Sequence, residues 1–422
     1  MPLHVLILPT EEFLPVHEPL AGIFQGHQLE ALRMTGNEQF GVLSIRLRHS
    51  VPMYIRSILR CLTFRRPDPA LPAKGLSGLC RQLWRRWRAP ESMTTVEEWN
   101  GTPVLRVEGL YGLPPSRRFD PIWWQRAGWA GYRDYCARYG RPDLIHAHNT
   151  ISAGLLAHRI ARRDGIPYVL TEHSSAYRLD GIPASLFPAI RAAIAGAQTF
   201  LPVSKALLQS VVTRIGKPDT EVAVLGNVLP RAFMDVARRE RTDGPFTFLT
   251  VGSLLPVKNQ TLLLSAFAQV LRTCPDCRLM LAGDGPLRRS LEQQSAEAGL
   301  GDRIGFLGLL EPEQVRAQML QADAFVFPSQ FETFGVALIE AMACGLPVIA
   351  MASGGPEEIV TPANGRLVAP ADRAGLIAAM VDVASAPESF DTEAIQASAR
   401  ATWGPSGFGQ KLRAVYAKAC GT

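Results

Sequence analysis

The sequence predicts an α/β protein built from two doubly wound, Rossmann-like domains in tandem. Three observations carry that expectation. Short β-rich runs alternate with helical stretches over nearly all of the 422 residues. The strand candidates are near-continuous apolar runs, the pattern of parallel strands covered on both faces. The series also starts afresh after Asn227, and two series imply two sheets.

In the first series, 5–8, 42–45, 104–107, 144–147, 168–171 and 199–202 read as strands, with helices at about 20–33, 121–139, 151–163 and 205–215. In the second, the strands are 246–251, 278–282, 304–307, 324–327 and 347–350. The helices there are about 261–272, 287–298, 313–320, 335–343 and 373–384. The boundary falls in the polar, Gly- and Pro-containing stretch 226–244. This gives domains 1–226 and 227–403, and a segment 404–422 whose helix, about 406–418, packs on either one, a return to the first being the arrangement expected. In open parallel sheets ligands bind beyond the carboxyl ends of the strands. Two facing domains would place the site in the cleft between them.

Composition narrows the class. The chain is 47% hydrophobic and 19% charged, enough for packed cores and unlike a disordered chain. No uncharged apolar run approaches the ~18 residues of a membrane span. The apolar start is short, lacks a basic region and is cut by Pro9, so it reads as a buried strand and not as a signal peptide. Seven scattered cysteines suit a reducing compartment, and a cytoplasmic location is expected. Cys274-Pro-Asp-Cys277 has no second pair or histidine near it and reads as a loop before a strand, not a zinc site.

The net charge of +6 belongs to the first half, where residues 1–200 hold 24 Lys and Arg against 16 Asp and Glu. It concentrates at 56–88. There Arg56, Arg60, Arg65, Arg66, Lys74, Arg81, Arg85, Arg86 and Arg88 face the single acid Asp68. Leu79, Leu83 and Trp87 recur every four residues among these arginines. The pattern suits an amphipathic helix on an anionic bilayer, and equally a core-packed helix with a solvated basic face. No nucleic-acid module accompanies it, so nucleic acid is not an expected partner.

The densest signal is Ala322-Asp-Ala-Phe-Val-Phe-Pro-Ser-Gln-Phe-Glu332-Thr-Phe-Gly335-Val-Ala-Leu-Ile-Glu340-Ala-Met-Ala-Cys-Gly345-Leu-Pro347. A buried strand leads to a loop with Glu332, and a helix starting near Gly335 carries Glu340 on its second turn. Glycine at a helix start admits a ligand close to the backbone, and the first helical N–H groups suit a diphosphate. The two carboxylates, eight apart, are acceptors able to bracket a polyhydroxyl ligand.

This string resembles the E-x7-E segment of the retaining glycosyltransferases of family four, which have the two-domain GT-B fold. Other segments resemble that family in the expected order. They are Val251-Gly252-Ser253-Leu254 with Lys258-Asn259, Leu281-Ala-Gly283-Asp-Gly285-Pro-Leu-Arg288, Ile304-Gly-Phe-Leu-Gly308, Gly354-Gly-Pro-Glu357, and Asn364-Gly365. The likeness is dense over 246–368. It is thinner in the first half, where it rests on 14–22, Asp143-Leu-Ile-His146-Ala-His148, Thr171-Glu-His173-Ser-Ser-Ala-Tyr177 and Leu201-Pro-Val-Ser204-Lys205. Two positions depart from the family pattern. Ser253 stands where an arginine is usual, leaving Lys258 as the only cation of that motif, and Ala21-Gly22 replaces Gly-Gly.

The resemblance implies transfer of a sugar from a nucleotide-sugar donor, with no cofactor and no divalent metal. It implies that Gly22, Gly252, Ser253, Lys258, Gly283, Gly308, Phe334, Gly335, Val336, Ala337 and Glu340 line the donor. By the same resemblance Glu340 would take the ribose hydroxyls and Glu332 the sugar hydroxyls, Lys258 and the Gly335–Ala337 amides would stabilise the leaving diphosphate, and His173 would stand near the donor sugar. His146 and His148 share a strand face, and either reach the acceptor or are packed. Ser204 reads as a helix cap, and Asn227 as a hinge residue. The first half is similar to bacterial enzymes of capsule, exopolysaccharide and related surface-glycan synthesis. That likeness implies a saccharide acceptor on a polyprenyl diphosphate, met at the inner face of the cytoplasmic membrane. A sugar-nucleotide epimerase of the same architecture and a degenerate, non-catalytic binding protein are the alternatives. A dinucleotide oxidoreductase is disfavoured, because Gly283-Asp-Gly285-Pro-Leu-Arg288 lacks the third glycine of its fingerprint.

Overall fold

A computed structural model describes residues 2–10, 13–14, 22–50, 55, 58–59, 77–81, 84, 94–111, 120–179, 181–237 and 244–421. The chain divides into two compact units. One comprises Met1–Pro202, Leu208–Leu225 and Gly409–Thr422, and the other Val203–Leu207 and Gly226–Phe408.

The first unit holds a seven-stranded sheet. Its strands are β1 (His4–Leu8), β2 (Gln39–Ser50), β3 (Thr94–Trp99), β4 (Thr102–Tyr111), β5 (Leu144–His148), β6 (Tyr168–Glu172) and β7 (Thr199–Pro202). The spatial order is β3-β4-β2-β1-β5-β6-β7. All pairings are parallel except β3 with β4. The buried strands β5, β6 and β7 have no exposed position, which is why they read as largely apolar runs. Helices α1 (Ile23–Thr35), α2 (Asp120–Tyr139), α3 (Leu155–Asp164), α4 (Phe187–Ala195) and α5 (Lys205–Ile215) accompany them.

The second unit has a six-stranded parallel sheet. It consists of β8 (Thr247–Val251), β9 (Arg278–Ala282), β10 (Ile304–Gly308), β11 (Ala324–Phe327), β12 (Val348–Met351) and β13 (Gly365–Val368), in the order β10-β9-β8-β11-β12-β13. This is the 3-2-1-4-5-6 arrangement of a doubly wound dinucleotide fold. Its helices are α6 (Gln260–Thr273), α7 (Arg288–Glu297), α8 (Pro312–Gln321), α9 (Val336–Ala343), α10 (Pro356–Ile359), α11 (Arg373–Ser385) and α12 (Thr392–Trp403). Local chemistry sets several starts. Glu311 and Gln314 form a reciprocal capping box at α8, and the side chains of Asp372 and Asp391 cap α11 and α12. The last helix, α13 (Pro405–Cys420), belongs to the first unit from Gly409 onward. There Arg413 pairs with Glu38 at 2.8 Å.

Five elements were not anticipated: β3, β13, α4, α10 and α12. Strand β3 is a polar edge strand with four exposed positions, so it has no apolar run to betray it. The turn that creates it was readable nonetheless. Asn100-Gly101, both with positive φ, is the dipeptide of a tight hairpin. Strand β13 has only four residues. The helix expected from residue 20 begins at Ile23, after Gly22 in the left-handed region. The helix expected from 151 is preceded by a π-type turn, Asn149–Gly154, and α3 starts at Leu155. Strand β2 runs to Ser50, five residues beyond the expected end.

Within the basic stretch, Leu79 is buried and Trp84 is exposed, and Arg81 is exposed. Arg56, Arg60, Arg65, Arg66, Lys74, Leu83, Arg85, Arg86, Trp87 and Arg88, on which the membrane-surface expectation rests, lie outside the described residues. Among the described residues no helix is long and apolar enough to cross a membrane.

Candidate functional site

Strand order in the second sheet reverses between β8 and β11. That switch point is where an open parallel sheet offers a crevice. The loops leaving the two strands carry Lys258 and Glu332. Lys258 closes the short turn Pro256–Lys258 after β8, and its Nζ lies 2.7 Å from Glu332 Oε2. The ammonium also lies 5.3 Å from the centre of the Phe327 ring. Both side chains are partly exposed, at 26% and 17%, so the pair is accessible from solvent.

The Glu332 loop is fastened on both sides. Gln330 N–H donates to Val257 O at 2.8 Å, Glu332 N–H to Ser353 O at 3.0 Å, and Gly355 N–H to Glu332 O at 3.0 Å. The second carboxylate oxygen, Oε1, accepts from Thr333 N–H at 3.2 Å. Three strand-end loops thus hold one carboxylate and one ammonium in place.

Helix α9 follows at once. Gly335 precedes it with φ of 106°, and a Cβ there would meet Leu338 at 3.0 Å. Glycine lets the chain turn into the helix with its first amides, those of Val336 and Ala337, pointing out of the N-terminus. Both residues are partly exposed, whereas Phe334 is buried. Glu340 sits on the second turn. The residue keeps part of its surface open, yet protein encloses its carboxyl group, and that burial pushes the pKa up to about 8.

Gly252, Gly283 and Gly308 meet at the ends of β8, β9 and β10. Gly252 N–H donates to Ala282 O at 3.0 Å and Gly283 N–H to Gly308 O at 2.7 Å. A Cβ on Gly283 would lie 2.0 Å from Gly252 O, so only glycine permits this approach. Ser253 is exposed, and its carbonyl accepts from Gln260 Nε2 at 3.1 Å. One cation at these strand ends was not among the expected site residues. The Arg288 guanidinium lies 5.0 Å from the centre of the Phe306 ring, donates to Phe306 O at 3.4 Å and pairs with Glu292 at 2.5 Å. Its signal was an arginine closing the Gly283–Arg288 motif, at the first residue of α7.

In the first sheet the order reverses between β1 and β5. Gly22, φ 70°, opens α1 after the β1 loop. His146 and His148 end β5, and His173 follows β6. His146 is packed. Its Nδ1 lies 2.7 Å from Tyr416 Oη and its Nε2 2.7 Å from Thr171 Oγ1. Burial and the neighbouring histidines hold its pKa well below the ordinary value. His148 is also buried, which pushes its pKa down to about 3, and its Nδ1 lies 3.1 Å from His173 Nε2. His173 is the partly exposed member. Its ring faces Phe24 with centroids 4.5 Å apart, and its N–H donates to Asn149 Oδ1 at 2.9 Å. The structure thus brings all three histidines into one cluster.

Glu172 was not anticipated in any role. It is fully buried, accepting from Thr150 N–H at 2.9 Å and Ser174 N–H at 2.7 Å. Burial raises its pKa against the opposing effect of these bonds. It ties the loop after β5 to the loop that carries His173. Ser204 Oγ accepts from Leu207 N–H at 3.0 Å, the cap geometry expected of it. Asn227 is buried near the start of the second unit.

Residues 84–230 match the family model described as Glycosyltransferase Family 4, and residues 235–399 that of Glycosyl transferases group 1. The chain belongs to the family-four glycosyltransferases. Its fold is GT-B, two parallel-sheet α/β domains. Glycogen synthase of Mycobacterium tuberculosis is 30% identical over 275 residues, which cover 63% of this chain and 66% of that protein, just under two thirds of its length. Sucrose-phosphate synthase from Thermosynechococcus elongatus is similar in structure, with a TM-score of 0.68 at 20% identity and 98% of each chain covered. HepE from Anabaena, solved in complex with UDP, gives a TM-score of 0.67 at 17% identity, covering 98% of this chain and 100% of that one. At these identities the structural likenesses establish the fold.

Proposed function

We propose that this family-four protein is a retaining, nucleotide-sugar-dependent glycosyltransferase. In this reading it extends a saccharide carried on a lipid, a polyprenyl diphosphate, in bacterial surface-glycan synthesis. The observation that carries the proposal is the Lys258–Glu332 pair at 2.7 Å, set at the switch point beside the N-terminus of α9. It joins a cation for a leaving diphosphate, oriented amides and a carboxylate for sugar hydroxyls in one place. The UDP complex of HepE supports a nucleoside diphosphate as the donor's leaving part.

The chemistry follows from those groups. The bond from the anomeric carbon to the diphosphate oxygen breaks with its electron pair leaving on the diphosphate. The acceptor hydroxyl oxygen bonds to the same carbon on the same face, and its proton passes to the departing phosphate oxygen. Charge builds on that oxygen, and oriented cations and amides act on charge that develops in the transition state. Lys258 and the Val336 and Ala337 amides supply them in this reading, in place of a divalent metal. Glu340 accepts from the ribose hydroxyls, and Glu332 from the sugar. His173 orients a hydroxyl near the reacting carbon as a neutral imidazole. The lipid-linked acceptor and a peripheral position on the inner membrane face rest on the basic residues of 56–88.

The test is nucleoside diphosphate release from UDP-, GDP- and ADP-sugars with saccharide–lipid acceptors, in the presence of EDTA. The proposal expects acceptor-dependent release by one nucleotide class, with the anomeric configuration kept in the product by NMR. Ser253, exposed where the family usually has arginine, favours a second reading, a nucleotide-binding protein without turnover. That reading expects binding and no release with any acceptor.

A further inference from the structure

We propose that His148 is the positioning residue for His173, fixing its tautomer and ring orientation through the Nδ1–Nε2 hydrogen bond. The inference rests on the reading above, in which His173 serves the transfer, and adds a residue to it.

The two rings meet at 3.1 Å with their planes 16° apart. In a hydrogen bond between two neutral imidazoles one nitrogen carries the proton and the other accepts it, so the two tautomers are coupled. His148 is well placed to dictate rather than follow. It ends the buried strand β5, its carbonyl accepts from Thr10 Oγ1 at 3.0 Å, and its residue is 2% exposed. Its ring lies 4.3 Å from that of His146, whose two nitrogens are engaged by Tyr416 and Thr171. Burial keeps His148 neutral at ordinary pH.

His173, by contrast, is held at its backbone. Asn149 Oδ1 takes its N–H, and Glu172 Oε1 takes the next amide, Ser174 N–H. Those bonds place the Cα and leave the ring to be set by its neighbours. Phe24 lies 4.5 Å from it, and His148 Nδ1 is a hydrogen-bond partner of its Nε2. A phenyl ring has no preference between imidazole tautomers, whereas the bond to His148 couples the tautomers of the two rings.

The experiment uses the full chain labelled with 15N-histidine, with His173 signals assigned by their loss in His173→Ala. Wild type is expected to show one neutral tautomer at His173. His148→Phe removes the bond and is expected to give an averaged, two-tautomer pattern. His148→Asn carries an amide where Nδ1 stood and is expected to restore the single form. Should His148→Phe fail to fold by circular dichroism, His148→Gln, whose amide lies one bond further out, serves as the contact-breaking variant. Turnover is expected to fall about tenfold to hundredfold in the contact-breaking variant, with donor KM held within roughly twofold, and to recover in His148→Asn. A single unchanged tautomer in a folded contact-breaking variant overturns the proposal. Full turnover in His173→Ala would instead overturn the catalytic reading of His173, leaving the ring-to-ring result to stand by itself.

Discussion

Replacing Glu340 by Gln should make the protein more stable above pH 5, and by an amount that grows with pH. The carboxyl pKa rises from 4.5 to about 8 because folding removes the group from water. Below pH 4.5 it is protonated in both folded and unfolded chains and carries no penalty. Between about pH 5 and 8 the unfolded chain releases the proton while the folded chain keeps it, so stability falls as pH rises. Above 8 both are ionised and the full penalty is present. A shift of this size corresponds to a ceiling of roughly 5 kcal/mol at ~1.4 kcal/mol per unit. Solvent reaching the open part of the side chain screens the charge, and about 2–3 kcal/mol is the expected difference. For a domain of this size that is a melting-temperature gap of about 5–10 °C. Calorimetric scans of wild type and Glu340→Gln from pH 4.5 to 9 should give curves that meet at the acid end, diverge through neutrality and run parallel above pH 8. Parallel curves over the entire range would show that Glu340 titrates as an exposed carboxylate, and the enclosed-carboxyl reasoning would fail.

The same enclosure predicts proton release on nucleotide binding near pH 7, because ribose hydroxyls donate to the ionised carboxylate. Isothermal titration in two buffers of different ionisation heat reads it, and Glu340→Gln should abolish it. Lys258→Ala should lower turnover by about 10²- to 10³-fold through loss of a cation at the leaving diphosphate. The part-buried Glu332 it leaves unpaired should cost about 1 kcal/mol of stability, read by urea unfolding. Arg288→Ala should weaken nucleotide binding by roughly tenfold, about one lost contact of ~1.4 kcal/mol, in equilibrium titration. Gly283→Ala should lower the melting temperature by several degrees, since its Cβ would stand 2.0 Å from a backbone oxygen and a forced shift there costs about 1–3 kcal/mol.

The architecture was legible because both sheets are almost wholly parallel and their central strands are buried. Strands such as Ala324–Phe327, without an exposed position, leave an unbroken apolar imprint. The candidate site was legible for a related reason. Its parts, Gly335, Glu332, Glu340 and Lys258, sit in the loops and first helical turns that follow β8 and β11. What stayed hidden depends on pairing across the sheet. Nothing in the letters says that Lys258 and Glu332, 74 positions apart, form an ion pair. The His148–His173 contact likewise needs the parallel register of β5 on β6, His148 opposite Thr171. Tyr416 completes the surroundings of His146 from 270 residues away. The polar edge strand β3 was missed for the opposite reason, having no buried face to pattern it.

The central claim is a nucleotide-sugar site on the second unit, built on Lys258, Glu332, Glu340 and the start of α9. Its most direct test is thermal stabilisation of the purified chain by UDP-, GDP- and ADP-sugars in EDTA, beside Lys258→Ala and Glu340→Ala. A ligand at a hundred times its dissociation constant adds about 2.7 kcal/mol to the folded state, a shift of several degrees. The account predicts that shift for one nucleotide class, reduced or lost in both variants. Stabilisation by none of the three, with a well-folded wild-type chain, would contradict it.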